Sequence, residues 1–554
     1  MVTRRDHTQH ATRNTQHARR TRRFGKDMSY LQLFEDDRRR RRPEGFLVLT
    51  RSGLLRYGAR VGTTVGTTDS ENAQGSLPVL SQSMHRLTSR SRLIAARLVT
   101  SNLDVSRGMG STLMDGVRVQ DTATEGAKRV LLRASAGCRR GTSSYATVRG
   151  RHAFEYPWRI GLATLGLMRM VGANDRLSRY LGLEWSSLSL YVLASIRRGS
   201  AYSTEAGLKY FVRGAVASGV YLFGASLLYG VTGSIQFGER SRRRVGLTLP
   251  GGGAVTNERG LAVVMVRRAF RFKLAVAPFH AWSPDVYEGS PTPSSVYFAV
   301  VPKRAMVMVI LRLTVGAFSD RFGVRQSVRR LGSVLSLTVG ALGARSQRRW
   351  KRFRAYSSIG HMGYLRLGVS SGSLEGVQGA RLYAIVYVVM SLTMWLGMMS
   401  LTWRQVRPRE VPSLTSSKYR TDRNGLATLN PVLAATLTLG VRSMAGVPPR
   451  AGFLAKRWVF MSAVSQSLVA SAIVGVLTSC VGALYYLRWV KLMYFEGVRS
   501  TGEMGGTTAT LLPMDRTTSW RRGVNVGLRR LILLVPGPLR TRTHRMALAI
   551  CRGG

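Results

Sequence analysis

The segment FKLAVAPFHAWSPDVYEGSPTP, residues 272–293, decides how this chain is interpreted. It places Lys273 at the end of an apolar run, follows it with Pro278 and His280, and bends into a second apolar run that carries Lys303. A charged side chain inside a membrane span is costly and therefore marks a candidate functional site. Proline frees a backbone carbonyl, and opened backbone survives in a membrane only against protein or water. The segment therefore predicts a broken helix in a membrane protein that moves ions.

The composition allows two broad classes of protein. The chain has 554 residues and a formal net charge of +56, which suits a partner such as nucleic acid or an anionic membrane surface. Basic nucleic-acid modules cluster their charge on one face, whereas here arginines are scattered through apolar stretches such as 156–185. The three cysteines form neither a disulfide framework nor a CxxC metal pattern. The glycine-rich PGGGAV (250–255) lacks the Lys-Ser/Thr of a phosphate loop, and no GxGxxG follows a strand, so no nucleotide site is predicted.

Arginines interrupt stretches that would otherwise be clear spans, namely 174–184, 209–219, 353–368 and 441–456. Each arginine at mid-membrane costs ~2.5–3.5 kcal/mol on insertion scales. The 27 acidic residues cannot pair with 83 basic ones. We therefore hypothesise that the printed sequence misreads an arginine codon that is reassigned, or edited, to an apolar residue. Genuine arginines are expected at span ends, at Arg197, Arg198, Arg352 and Arg488. A soluble basic protein and a decayed, unexpressed gene are the alternatives.

The pattern of apolar runs and polar loops divides the chain into five regions. Residues 1–44 are polar and basic, and are either a leader or sequence upstream of a true start at Met28. Divergent spans follow in 45–150, a first bundle in 151–345, a second in 346–497, and a polar loop with a last span in 498–554. Candidate spans lie near 45–60, 79–99, 124–142, 156–172, 174–195, 205–230, 260–278, 293–318, 327–345, 353–371, 378–402, 427–447, 454–490 and 521–537.

The two halves of the chain echo each other weakly. Each contains a proline-interrupted span next to a lysine: AVAPFH follows Lys273, and AGVPPRAGF precedes Lys456. Paired broken helices at corresponding positions are the best sequence indication of a transport site.

At these residues the chain resembles subunit 2 of the proton-pumping NADH:ubiquinone oxidoreductase, respiratory complex I, and most of all its plant and algal mitochondrial versions. The resemblance extends from about 152 to 496, with PMDR (513–516) beyond it. In nearly every motif the departure is an arginine where the family has an apolar residue, which random decay would not produce. The matching stretches are LGLEWSSLSLYVLAS (181–195), STEAGLKYF (203–211), the segment 272–293, KRFRAYSSIGHMGYL (351–365), AGVPPRAGFLAKRWVF (445–460) and YYLRWVKLMYFE (485–496).

The resemblance implies an all-α polytopic membrane protein with about fourteen transmembrane helices in two inverted bundles with broken helices. It implies a proton-translocating subunit of the mitochondrial inner membrane, with the other membrane subunits of complex I as partners and no nucleic acid. It implies no cofactor on this chain, because NADH, FMN, iron–sulfur clusters and ubiquinone belong to the rest of the complex. A sodium/proton antiporter subunit of the same fold and a soluble nucleic-acid-binding protein are the rival interpretations.

Four residues are the main candidates for proton translocation. Glu184 lies in an apolar helix, where desolvation and a nearby cation act on a carboxylate in opposite directions. The resemblance implies that Glu184 pairs with Lys273, that Lys303 is the central proton carrier, and that Lys456 is the terminal one. The alternative for Lys303 and Lys456 is a helix-end anchor, and for Lys273 an interfacial lysine.

Four further residues are candidate relays. Glu205 and Lys209 stand four apart and predict an ion pair along one helix. His280 titrates near neutrality, although a lone histidine is more often structural. His361 lies in YSSIGHMGY, a run of small and hydroxylated residues suited to holding water.

Overall fold

Helices make up most of the part of the protein that this computed structural model describes. The model describes residues 38, 40–61, 70–105, 111–114, 116–148, 155–237, 253–317, 322–406, 413–497, 508–511 and 534–552, with isolated positions between 519 and 532. Residues 1–37, with Met28, lie outside the described residues, as do PMDR and most of the polar run 498–520. Residues 40–44 already belong to the first helix, so the polar extension predicted for 1–44 ends inside a helical segment.

Most helices follow the predicted spans closely, but the predicted span 454–490 is divided between two helices, Ala451–Val464 and Val469–Tyr494. A π-helical turn, Leu313–Ala317, extends α9, and a 3-10 turn, Thr421–Arg423, precedes α13. The helices are α1 (40–61), α2 (Ser70–Val105), α3 (Thr122–Val148), α4 (Glu155–Gly172), α5 (Arg176–Ala194), α6 (Ala201–Thr232), α7 (Gly253–Leu274), α8 (Trp282–Gly289), α9 (Thr292–Arg312), α10 (Phe322–Ser346), α11 (Trp350–Ser371), α12 (Leu374–Met399), α13 (Leu426–Leu429), α14 (Pro431–Ala445), α15 (Ala451–Val464), α16 (Val469–Tyr494) and α17 (Gly537–Arg552).

Two pairs of consecutive helices are separated by prolines, as the sequence predicts. Between α7 and α8 lies Pro278, and between α14 and α15 lie Pro448 and Pro449. The expected span 260–278 is four residues too long, because α7 ends at Leu274. Its end is fixed by hydrogen bonds from the Ala275 and Val276 amides to the Phe272 and Arg271 carbonyls, a Schellman-type C-terminus.

Three described helices are long and apolar enough to cross a membrane by length and composition: α6, α12 and α16. Most of α12 is buried by its neighbours, whereas most of α6 and α16 faces outward. Arginines lower the hydropathy of other helices, as Arg354 and Arg366 do in α11. Composition alone therefore does not establish the predicted count of spans.

The core positions the candidate lysines. Helix α11 packs against α8, α10, α12 and α15, while α9 packs against α3 and α12. The lysine-bearing helices α9 and α15 thus meet the same pair, α11 and α12. One large apolar cluster extends from Ala123 to Ile550.

Two small sheets correct the expectation of a purely helical chain. Strands β1 (Ser111–Leu113) and β2 (Arg118–Gln120) are antiparallel, and β3 (Thr402–Val406) pairs with both β4 (Ser413–Ser416) and β5 (Thr508–Leu511). These strands are three to five residues long, too short for alternation to reveal them.

A helix that the sequence did not predict lies in the C-terminal region. The expected span at 521–537 lies mostly outside the described residues, whereas α17 begins at Gly537 and ends at Arg552. Four arginines in α17 hid it from a search for apolar runs. It packs against α3 and α12, with Ala547 and Ile550 buried.

Candidate functional site

Lys273 lies in the last turn of α7, immediately before the first helix break. Its Nζ donates a hydrogen bond of 2.9 Å to the Tyr191 hydroxyl on α5 and stands 5.4 Å from the centre of the Tyr191 ring. The C-terminal end of α7 is held separately, because Trp282 Nε1 donates to the Phe272 carbonyl at 2.9 Å. Lys273 is therefore joined to α5 by a hydroxyl contact.

Glu184 lies on α5 two turns before Tyr191, a spacing that places both on the same helix face. It is half-buried, and its buried Oε1 has no hydrogen-bond partner among the described residues. No described ion pair joins Glu184 to Lys273, and Tyr191 is the residue that contacts the lysine. The pairing of Glu184 with Lys273 that the resemblance implies therefore stays a prediction, and the hydrogen bond of Lys273 goes to Tyr191.

Lys303 lies in the middle of α9, next to Pro302 within the helix. Its side chain is 4% exposed and donates a hydrogen bond to Ser358 on α11. The Tyr387 hydroxyl of α12 donates to the same Ser358 oxygen at 3.0 Å. No described ion pair includes Lys303, so its neighbours in polar contact are hydroxyls.

His361 lies on α11 one turn beyond Ser357 and Ser358 and is 3% exposed. Its Nδ1 is 2.7 Å from the Tyr383 hydroxyl, and its Nε2 is 3.4 Å from the Tyr486 hydroxyl. Tyr486 also bonds to Ser357. Both ring nitrogens thus face hydroxyls that can donate or accept, which is what a group needs in order to pass a proton on.

Lys456 lies in α15, after the second helix break, and is 6% exposed. Its Nζ donates to the Ala445 carbonyl at 2.9 Å and to Ser479 at 2.7 Å. Gly446, at φ +84°, passes so close to the lysine stem that a Cβ there would meet it. The break therefore requires glycine next to Lys456 both for its backbone angle and for space.

A small cavity connects His361 with Lys456. Its volume is about 20 Å³, and Tyr364, Thr478 and Tyr486 also line it. A space of this size with several polar neighbours holds about one water molecule. The polar path from Lys303 to Lys456 thus has two parts. Lys303, Ser358 and Tyr387 form one hydrogen-bonded group, and Ser357, Tyr486, His361 and Tyr383 form another beside the cavity that Lys456 lines. No hydrogen bond among the described residues joins the two parts.

The remaining candidates lie away from this path. Glu205 and Lys209 form the predicted ion pair, and both side chains are largely exposed on α6. His280 is half-buried in the first break, and its Nδ1 has no hydrogen-bond partner in the described part of the chain. The structure therefore brings Lys303, His361 and Lys456 together and leaves these three apart.

Sequence reasoning missed the hydroxyl groups that connect the site. Ser358 was visible within YSSIGHMGY, but its role depended on Lys303 of another helix. Tyr191, Tyr383, Tyr387 and Tyr486 lie in apolar helices where tyrosine is an ordinary core residue. Only their positions in space reveal them.

The described residues contain no group of three or more His, Cys, Asp or Glu side chains close enough to hold a metal ion. A bundle with two broken helices, and buried lysines that each donate to a serine hydroxyl, is what an antiporter-like membrane protein would show. The family model "NADH:quinone oxidoreductase/Mrp antiporter, TM" matches residues 173–482, and the chain belongs to this family.

Curated relatives include bacterial and plant proteins. The chain is 44% identical over 360 residues to NADH-quinone oxidoreductase subunit N 1 of Rhizobium meliloti, covering 65% of this chain and 71% of that protein. It is 38% identical over 471 residues to subunit N of Methylobacterium nodulans, covering 83% and 89%. It is 38% identical over 400 residues to NADH-ubiquinone oxidoreductase chain 2 of Marchantia polymorpha, covering 72% and 78%.

Solved structures share the fold. A chain of respiratory complex I from Thermus thermophilus with bound aureothin matches with a TM-score of 0.69 and 25% identity, covering 90% of this chain and 98% of that one. A chain of the Mrp complex from Dietzia sp. DQ12-45-1b matches with a TM-score of 0.72 and 18% identity, covering 92% and 97%, which shows the fold alone.

Proposed function

We propose that this chain is the proton-translocating membrane subunit N, or chain 2, of an NADH:quinone oxidoreductase. The observation that supports it best is the pair of buried lysines, Lys303 with its contact to Ser358 and Lys456 beside the cavity that His361 also lines. The matches to relatives with these subunit names extend over 71% and 89% of the length of those relatives. NADH, FMN, iron–sulfur clusters and quinone would be bound by other subunits of the enzyme.

The mechanism is electrostatic. A change of charge beside Glu184 and Lys273, driven by quinone reduction elsewhere in the complex, alters the proton occupancy of Lys303. Two unit charges 4 Å apart interact by about 4 kcal/mol at an effective dielectric constant of about 20, and the effect on Lys303 decreases with its distance from the charge change. Lys303 then passes its proton through Ser358 and His361 toward Lys456.

The arrangement in the membrane follows from the same proposal. About fourteen spans would form two inverted bundles, 151–345 and 346–497, with one broken helix in each. The divergent helices of 45–150 precede them, and the region 498–554 completes the chain. The plant relatives favour the mitochondrial inner membrane, with other membrane subunits of the complex as partners.

The test is replacement of Lys303 by Ala in a tractable relative or in the organism itself. Proton pumping is expected to disappear, because no other described side chain donates to Ser358 from α9. The readout is the proton-to-electron ratio in sealed vesicles, with Lys209→Ala on the exposed face of α6 as the matched control. A normal ratio in the Lys303 variant would refute the proposal.

The antiporter alternative rests on the fold shared with the Mrp complex. It predicts sodium-dependent proton movement in vesicles without any quinone reductase activity. Loss of NADH:quinone reductase from membranes that lack this chain would exclude it.

A further inference from the structure

Buried arginines without acidic partners crowd the interior of the described chain. At least ten described arginines have at most 6% of their surface exposed and at least one guanidinium nitrogen without a hydrogen-bond partner: Arg51, Arg92, Arg139, Arg176 and six others. None of the described ion pairs includes any of them. Buried charges in proteins are normally paired and fully hydrogen-bonded. The six others are Arg179, Arg304, Arg354, Arg366, Arg381 and Arg423.

The surroundings of two of these side chains suit apolar residues, whereas Arg381 and Arg179 donate to backbone carbonyls. All three guanidinium nitrogens of Arg423 lack hydrogen-bond partners among the described residues, and the group lies 4.5 Å from the centre of the Trp489 ring. The described hydrogen bonds of Arg354 go to the Met444 sulfur, at 2.8 Å, and to the Ser391 hydroxyl, at 3.0 Å. A thioether is a weak acceptor, so neither site is built to hold a guanidinium.

The same protein accommodates other arginines well. Arg312 donates to the Asp121 carboxylate and to Thr124 at 3.0 Å. Arg352 donates to Asp285 at 3.1 Å and lies 3.4 Å from Glu288. Poor pairing is therefore a property of particular positions and not of every arginine in the chain.

Two of the six lie beside the central lysine. Arg304 follows Lys303 directly, and Arg354 precedes Ser358, the hydroxyl that receives the lysine proton, by one turn. Arginine does not lose its proton in proteins, so a guanidinium there would disfavour the protonated form of Lys303 throughout a pumping cycle. This step rests on the proposed function, whereas the burial argument does not.

We infer that the native protein carries leucine, or another apolar residue, at these six positions and genuine arginine at Arg312 and Arg352. Translation with a reassigned arginine codon, or editing of the transcript, would place the apolar residues. Leucine is a strong helix former, and five of the six positions are helical.

The test is peptide mass spectrometry of the enzyme purified from a detergent-solubilised membrane fraction, digested with a protease that does not cleave at arginine. We expect the residue mass of leucine at the six positions and of arginine at Arg312 and Arg352 in the same digest. Arginine at any of the six would overturn the inference for the set, whatever the outcome of the pumping assay.

A second measurement does not depend on recovering peptides. Gene and transcript are sequenced, and the codons of the six positions are compared with those of Arg312 and Arg352. We expect the six to share one codon that the two controls lack, or to differ between gene and transcript. Six unedited codons that are the same as those of the controls would overturn the inference.

Discussion

The two broken helices end in the same way and place their lysines differently. In α7 the Val276 amide bonds to the Arg271 carbonyl, and in α14 the Val447 amide bonds to the Arg442 carbonyl. Lys273 precedes its break and reaches sideways to α5, whereas Lys456 follows its break and reaches back to the end of α14. The first lysine therefore connects two helices, and the second connects the two parts of one helix.

The groups that hold the helix ends differ in charge. At the first break the neutral Trp282 indole donates to the Phe272 carbonyl. At the second, Lys456 donates to the Ala445 carbonyl, where a cation is favoured by the helix dipole. Loss of the Lys456 proton would weaken the second connection and leave the first unchanged. Only the second break is thus coupled directly to a proton.

Replacement of Lys456 by Met should have the largest effect on this comparison. The variant keeps an unbranched apolar stem but loses both donations, to Ala445 and Ser479. We expect the proton-to-electron ratio in sealed vesicles to fall while quinone reduction continues. The matched variant Lys273→Met should instead impair quinone reduction and pumping together, because it acts nearer the source of the charge change. Equal behaviour of the two variants would contradict the distinction.

The second prediction concerns the backbone angle of the residue that follows α7 and of the residue that follows α14. Ala275 has φ +57° and Gly446 has φ +84°, so only the second break has glycine in the left-handed region. An L-residue there costs about 1–2 kcal/mol. Gly446→Ala should lower the free energy of unfolding of the purified complex. Ala275→Gly should raise that free energy by about 0.5–1 kcal/mol. Calorimetry checks both, and a destabilising Ala275→Gly would show that the first break does not store this strain.

The hydroxyl contact of Lys273 gives a smaller effect. Tyr191→Phe removes a hydrogen bond to a charged group, which is typically worth about 1.5–3 kcal/mol. We expect slower turnover at an unchanged proton-to-electron ratio. Tyr221→Phe, which removes a buried hydrogen bond to the Arg176 carbonyl in the same half, controls for general damage. If Tyr191→Phe behaves like this control, Tyr191 does not connect Glu184 with Lys273.

The smallest effect is expected at Lys209. Its ion pair with Glu205 is exposed, and such pairs contribute little. Lys209→Ala should leave turnover and the pumping ratio unchanged in the vesicle assay. A clear loss of pumping would extend the polar path to the outer face of α6.

The sequence predicted the features that short motifs encode. Proline between apolar runs gave both breaks, and lysines beside them gave Lys273 and Lys456, because helix interruption and charge are local properties. The contact of Lys303 with Ser358 joins helices 55 residues apart, so no local pattern contains it. Likewise, the short strands and the arginine-rich α17 carry too little periodicity or hydropathy to be recognised. The predicted roles of the individual site residues stay predictions until the variants are measured.

The position of helix α17 also determines when one surface of the fold can be covered. It covers parts of α3 and α12, and buries Ala547 and Ile550 there. A ribosome synthesises every other described helix before it reaches α17. The surface of α3 and α12 that α17 covers therefore stays uncovered until the described chain up to α17 has been synthesised.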